Sequence, residues 1–498
     1  MKKQTTEKTT TGLSRQLGLL GLAATGICSM LGASVYVVPF MIQRNVPGIG
    51  PFVLPAFLFA ALPAILAALA YATLASAMPR AGGAYIYASR GLNPYLGFVA
   101  SFSQWFGLSI AIGVISYIII PFFRDIALAL AWEDLAHLLE TGWIRVSLAI
   151  LLLWTFVGIN LRGLRFYERT LIPLMFVMFG LGAIVIVAGF SFDQEIFATA
   201  LSGKENRVVS AQASSWDWTT FLTAAALLFS SFIGFDSIAQ AGGEAKNPQR
   251  NLPLAILIAV LGVGAYYFIF TAAVYHTVPW SFVAEEAATK DISAPGLLSY
   301  VLSPFWAVAI LFGAAIALIN DLPAMLLSVS RLIFAWAEDG IFPKGLARID
   351  RQRQTPVNAI LLSGGMATIG ILGSHLAGDF FLGIDIMVTS MLVNFLLMCL
   401  TVLWIPRHNP ALAKKISVMR SRTFQLIFAS LGCVLLTLFL IMHIAKDIRA
   451  EIEAWYFHST YIWLIVMLLA SLIFYWKTQQ LKRNGIEVKE VFKELPKH

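Results

Sequence analysis

The residues with the most chemistry to offer sit where an apolar helix has least use for them. Ile319-Asn320-Asp321-Leu322-Pro323 lies inside a long apolar run. Pro323 has no N–H to donate, so the carbonyl of Ile319 loses its helical partner. A carboxylate, an amide and a freed carbonyl within one turn make an oxygen-rich, negative cluster suited to Na⁺ or a titrating proton. The structural alternative is a proline kink capped by polar neighbours. Capping needs no charge, which favours the functional reading. An ionisable residue inside a membrane span is a functional hypothesis by default.

Two further stretches combine small or polar residues with an apolar setting. Met30-Leu31-Gly32-Ala33-Ser34-Val35-Tyr36 interrupts the first apolar run, with Pro39 close behind. Leu227-Leu228-Phe229-Ser230-Ser231-Phe232-Ile233-Gly234-Phe235-Asp236-Ser237 interrupts the sixth. Each reads either as a notch that lets helices approach closely or as a helix opened midway. An opened helix presents free N–H groups at one half-helix start, which suit a carboxylate, and free carbonyls at the other half-helix end, which suit an ammonium or a metal cation. One site carrying both receives the backbone of a zwitterionic α-amino acid. Asp236 either serves that site or fixes the break by accepting from local N–H groups, and the structural role takes precedence.

These stretches must be positioned by membrane-spanning helices. The 498-residue chain is 58% hydrophobic and 12% charged, which excludes an ordinary soluble domain. Apolar runs near 17–42, 52–78, 95–123, 143–161, 167–190, 218–241, 253–277, 299–337, 357–373, 380–404, 424–444 and 459–476 are long enough to cross at roughly 20 residues each. Twelve crossings put both ends on one side. With that side inside, 27 of the 35 Lys and Arg residues fall in inside segments, among them Lys414, Lys415, Arg420 and Arg422, so the positive-inside rule predicts cytoplasmic termini. The net charge of +8 is therefore a topology signal and not a nucleic-acid surface. Acidic residues concentrate in the opposite loops. Asp125 to Glu140 there predicts a short amphipathic surface helix, with Trp132 and Trp143 as interfacial anchors. Only Asp236, Asp321 and Asp385 fall within spans.

If runs 1–5 and 6–10 repeat, an odd number of crossings per repeat makes the repeat inverted, and the interruptions in runs one and six become equivalent. Paired interruptions of this kind point to a midplane substrate site in a secondary transporter. The expected organisation is a tail over 1–16, a first repeat over 17–190, an external loop over 191–217, a second repeat over 218–404, two added helices over 405–476 and a tail over 477–498.

At these residues the chain resembles the amino acid–polyamine–organocation superfamily of transporters. Gly32-Ala33-Ser34-Val35-Tyr36 is similar to that family's first-helix break. Pro79-Arg80-Ala81-Gly82-Gly83-Ala84-Tyr85 is similar to its segment between helices two and three. Phe232-Ile233-Gly234-Phe235-Asp236 with Gly243-Glu244-Ala245-Lys246-Asn247-Pro248 resembles its sixth-helix signature, and Ser330-Arg331 with Ala337-Glu338-Asp339-Gly340 the end of its eighth helix. The resemblance covers about 15–405 and implies an all-α, leucine-transporter-like fold of five-plus-five inverted helices plus two. It implies backbone N–H groups at Gly32, Ala33 and Ser34 for the substrate carboxylate, and carbonyls at Ser29, Ser230, Ser231 and Ile233 for the amine. Ser230 stands where relatives carry a bulky aromatic gate, so gating passes to Phe229, Phe232 or Tyr36, the two phenylalanines lining the pocket. The coupling cation would meet Asp321 and the carbonyls of Cys28 and Leu31. The helix-five lysine that replaces this cation in some members is absent, since Thr170 to Gly189 holds no Lys or Arg.

The expected function is secondary transport of an amino acid across the plasma (inner) membrane by alternating access, driven by H⁺ or Na⁺. The alternatives are an amino acid or amine exchanger, a polyamine or inorganic-cation carrier of the same fold, and a non-transporting receptor. Cys28, Cys399 and Cys433 lack metal-ligand spacing, no phosphate-binding Gly-x-x-x-x-Gly-Lys-Ser/Thr motif occurs, and no enzyme nucleophile stands out. No cofactor is expected beyond the coupling ion; the partners expected are an amino acid or related amine and membrane lipid, not nucleic acid.

Overall fold

The computed structural model describes residues 13–32, 34–209, 214–377, 381–450, 457–485, 487 and 491–496. Among these the secondary structure is helical. Strand-like pairing is limited to two isolated bridges, Leu17 with Ala245 and Ala81 with Ala241. Lipid offers a chain no hydrogen-bond partners, so apolar spans must satisfy their backbone internally as helices.

The first crossing is split into α1 (Leu19–Met30) and α2 (Ser34–Asn45), followed by α3 (Val53–Ala77), α4 (Gly83–Gly91), α5 (Pro94–Ala129), α6 (Glu133–Glu140), α7 (Gly142–Leu161) and α8 (Leu164–Ser191). Then come α9 (Gln194–Glu205), α10 (Trp218–Leu228), α11 (Ser237–Gln240), α12 (Pro248–Thr277), α13 (Trp280–Thr289), α14 (Ala294–Leu298) and α15 (Pro304–Glu338). The chain closes with α16 (Val357–Ala377), α17 (Phe381–His408), α18 (Pro410–Ala413), α19 (Arg422–Arg449) and α20 (Ser459–Arg483). Among the described residues twelve crossings are long and apolar enough to span a membrane, at the places the apolar runs predict.

The long α5 packs against α15, α16 and α17, while α1 packs against α12 and α15. The last two crossings, α19 and α20, lean on α17 from outside. The split first and sixth crossings are therefore central, and their spans are among the most enclosed.

Three loops and the last tail differ from expectation. The surface helix starts at Glu133 and not at Asp125, because α5 continues to Ala129 until Ala131 takes a left-handed φ of 57°. Its flanking Trp132 and Trp143 are exposed. The 191–217 loop contains α9, started by Asp193, whose carboxylate accepts from the Ile196 N–H at 2.8 Å. The loop after α12 folds into α13 and α14, and the last tail is helical to Arg483.

Candidate functional site

The first-crossing break is set by Leu31 and Gly32. Leu31 still donates its N–H to the Ile27 carbonyl at 2.8 Å, then leaves helical geometry at ψ 68°. Ala33 lies outside the described residues, and Ser34 starts α2. Gly32 lies directly against Asp321: a methyl group on its Cα would meet the carboxylate Oδ2, and Asp321 would have to turn aside. Asp321 on α15 is buried, its Oδ1 has no hydrogen-bond partner, and it makes no ion pair among the described residues. Beside it, Asn320 donates from Nδ2 to Cys28 Sγ at 2.9 Å while its own Oδ1 is unpartnered. The α15 backbone runs on through Pro323, whose carbonyl accepts from Asn160 Nδ2 at 3.3 Å. Asp321 lies against Gly32 at the first break, and its neighbour Asn320 reaches Cys28 through the sulfur.

The sixth-crossing break follows a 3-10 turn over Phe229–Phe232. Ile233 is extended at φ −76°, ψ 134°, and Gly234 takes φ 132°, a conformation L side chains rarely reach. A Cβ on Gly234 would also run into the Ser29 carbonyl oxygen. Ser29 Oγ and Ser237 Oγ pair at 2.9 Å. The two breaks are therefore in backbone contact across the centre of the fold.

Asp236 holds the second break open. Its Oδ1 accepts from the Gly234 N–H at 3.2 Å, and its Oδ2 accepts from Gln104 Nε2 on α5. Gln104 Oε1 in turn accepts from Gln240 Nε2 at 3.1 Å. This is the local N–H arrangement anticipated as the structural role of Asp236.

Tyr267 on α12 ties the first break together. It donates to the Met30 carbonyl at 3.1 Å, so in its short contact with Ser34 the serine hydroxyl is the donor. Phe57 stacks on Tyr267 at 5.5 Å between centroids and touches Phe232 at 5.2 Å. Ser231 lies beside the Tyr267 hydroxyl, whereas Ser230 turns its hydroxyl back to the Leu227 carbonyl at 2.7 Å. Tyr36 stands edge-on to Phe270 with its hydroxyl aimed at Gly313 of α15. Phe229 faces Phe395 and Phe439 on the side away from α1. The fold thus gathers Cys28, Ser29, Leu31, Gly32, Ser34, Ser231, Phe232, Ile233 and Asp321, and leaves Phe229 outside the group. Phe57 and Tyr267 were not foreseen, because neither breaks the apolar pattern of its helix. Gln104 does break it, but its spacing does not point to Asp236 as its partner.

A second cluster closes the face that carries the basic loops. Arg331 on α15 grips Glu244 through two bonds, of 2.6 and 3.1 Å, with both side chains buried. The Glu244 carbonyl accepts from Gln16 and Leu17 N–H groups at 2.9 Å. Arg90 forks onto Asp339 at 2.6 and 2.8 Å. Burial works against the Arg90 charge, but the Asp339 carboxylate more than offsets it and holds the guanidinium above its usual pKa. Residues 491–496 return to this cluster. Arg80 donates to the Pro496 carbonyl at 3.0 Å, Arg90 to that of Glu494 at 3.3 Å, and Asn409 to that of Lys493 at 3.1 Å.

Comparison with known families decides what this architecture is. The family model described as amino acid permease matches residues 17–479, nearly the whole chain. The chain belongs to the amino acid permease family. As a permease of this family it is 31% identical over 377 residues to cationic amino acid transporter 4 of Mus musculus, covering 71% of this chain and 54% of that relative. It is 29% identical over 365 residues to the chloroplastic cationic amino acid transporter 9 of Arabidopsis thaliana, covering 70% and 59%. It is 25% identical over 341 residues to a low-affinity putrescine importer of Escherichia coli (strain K12), covering 68% and 69%. The permease spans about half the length of the first of these relatives. The family lies within the amino acid–polyamine–organocation superfamily.

Proposed function

We propose that this permease is a secondary active transporter of amino acids, working by alternating access across the plasma membrane with both termini in the cytoplasm. The observation that carries the reading is the unpaired Asp321 carboxylate, buried against Gly32 at the point where the two helix breaks meet. The start of α2 at Ser34 offers N–H groups and a positive dipole end to a substrate carboxylate. The 3-10 turn at Ser230 and Ser231, the extended Ile233 after it, and the end of α1 at Ser29 offer carbonyls to its ammonium. Tyr36 and Phe232, with Phe57 and Tyr267, close over that space from the α3 and α12 side. Asp321, with Asn320 and the Cys28 and Leu31 carbonyls, answers to the driving ion, H⁺ or Na⁺. The breaks at equivalent places in 17–190 and 218–404 support an inverted repeat of five crossings each.

A second reading makes the Asp321 carboxylate the partner of a cationic substrate. The names of the relatives, a cationic amino acid transporter and a putrescine importer, favour it. Uptake into liposomes carrying the purified chain separates the two. Labelled alanine, arginine and putrescine are each tested with an inward H⁺ gradient, an inward Na⁺ gradient and preloaded substrate, for wild type and Asp321→Asn. Loss of gradient-driven accumulation with survival of exchange for every substrate makes Asp321 the coupling site. Loss of arginine and putrescine exchange with survival of alanine exchange makes it a substrate contact. A variant indistinguishable from wild type in all arms removes Asp321 from the mechanism.

A further inference from the structure

The cluster of Lys and Arg residues between α17 and α19 does more than set topology. A cavity of about 670 Å³ lies there, lined by Lys414, Lys415, Arg420 and Arg422 over an apolar floor that includes Ala413 and Ile416. Among the described residues no carboxylate lines it, and residues 405–423 contain no Asp or Glu. An adjoining cavity of about 520 Å³ shares Lys415 and adds Arg15, Arg80 and Arg250; among the described residues no carboxylate lines it, although Glu338 lies within electrostatic reach of Arg80. Like charges held this close repel unless something of opposite sign sits among them.

Arg422 is already committed, donating to the Val402 and Leu403 carbonyls at 2.9 and 2.7 Å and so fixing one wall. Arg420 spends only its Nε, on the Ser417 carbonyl at 3.2 Å. Among the described residues neither Lys414 nor Lys415 forms an ion pair, and both are exposed. The level of the cavity follows from its neighbours. Trp404 is 41% exposed at the end of α17, and Phe424 and Ile427 are 44% and 61% exposed at the start of α19. Large apolar side chains exposed on membrane-crossing helices face lipid tails, and a tryptophan among them marks the interface.

We propose that this cavity binds the headgroup of an anionic phospholipid of the cytoplasmic leaflet. The phosphate sits among Lys414, Lys415 and Arg420, and the acyl chains run down the exposed flank of α17 and α19. The leaflet assignment rests on the cytoplasmic placement of the basic loops. A basic pocket between crossings on that side suits such headgroups. The apolar floor and lipid-level mouth favour a phospholipid over free cytosolic phosphate.

The test is native mass spectrometry of the purified, delipidated full chain titrated with phosphatidylglycerol or phosphatidylcholine of matched chains. Wild type is expected to retain phosphatidylglycerol selectively. The triple variant K414A/K415A/R420A is expected to bind it about 100-fold more weakly, three basic groups near an anionic surface each contributing roughly a factor of five. K414R/K415R, which keeps the charge, and R348A/R351A, which removes charge from another loop on the same face, are expected to bind like wild type. Retention by the triple variant overturns the proposal, and so does an equal loss in R348A/R351A, which makes the whole face responsible. Complete displacement of phosphatidylglycerol by millimolar inorganic phosphate also overturns it, since the ligand is then a soluble anion. Thermal melting of each variant is recorded alongside. If the triple variant does not fold, K414Q/K415Q carries the same reading with a loss of at least tenfold expected.

Discussion

Asp321 and Glu244 are both carboxylates shut away from solvent, one carried by helix α15 and the other gripped from it, yet their surroundings are opposite. Glu244 is met by the Arg331 fork and its main chain is pinned by Gln16 and Leu17. Asp321 is met by the bare Cα of Gly32 and leaves one oxygen without a partner. An isolated buried charge is strongly unfavourable, and a paired one much less so. The paired carboxylate is therefore a fastening, complete within the chain. The unpaired one is incomplete until a proton, a cation or an ammonium arrives. Ten residues of one continuous helix, about 15 Å, separate Asp321 from Arg331, so a change at the break has a rigid route to the fastening.

The comparison makes opposite demands on variants of similar burial. Arg331→Met strands the Glu244 charge and is expected to destabilise by about 3–5 kcal/mol, visible as a large fall in thermal midpoint, with E244Q/R331M recovering most of the loss. A single variant that melts like wild type would erase the distinction. Gly234→Ala forces an L side chain to φ 132° against the Ser29 carbonyl, with an expected loss of about 1–3 kcal/mol and impaired transport. Tyr267→Phe removes the hydroxyl shared by Met30 and Ser34; a loss of about 1 kcal/mol is expected, measured by the same melting curve. Asp321→Asn is expected to leave the midpoint unchanged or raise it, since it deletes a charge that nothing in the chain offsets, while uptake loses its drive. A clear drop in midpoint for Asp321→Asn would place that residue with the fastenings.

The crossings were legible because lipid imposes a length and a composition that apolar runs cannot disguise. The breaks were legible for a related reason: Gly32, Ser34, Ser231, Gly234 and Asp236 are poor choices for a lipid-enclosed helix and so announce themselves. What faced each break was not. The contact of Asp321 with Gly32 joins positions 289 residues apart, and periodicity says nothing about which helices become neighbours. Tyr267 and Phe57 stayed silent because an aromatic in an apolar span is unremarkable by composition. The helix over Gln194–Glu205 did carry a signal, the Asp193 cap, but a polar stretch outside the membrane masked it. The return of 491–496 was illegible for a deeper reason. Arg80, Arg90 and Asn409 hold that segment by its carbonyl oxygens, which every residue type supplies equally.

That last mode of attachment shapes how the segment can drift over evolutionary time. Substitutions at Lys493, Glu494 and Pro496 leave the main-chain oxygens in place, so spelling there is nearly free. Phe492, which lies under the Arg90 guanidinium at 5.0 Å from ring centre, and the core-packed Val491 and Leu495 are exceptions. Spacing is another matter: inserting one residue between Phe492 and Pro496 would throw the oxygens out of register with their three donors. Length, more than identity, is what selection has to guard in this part of the chain.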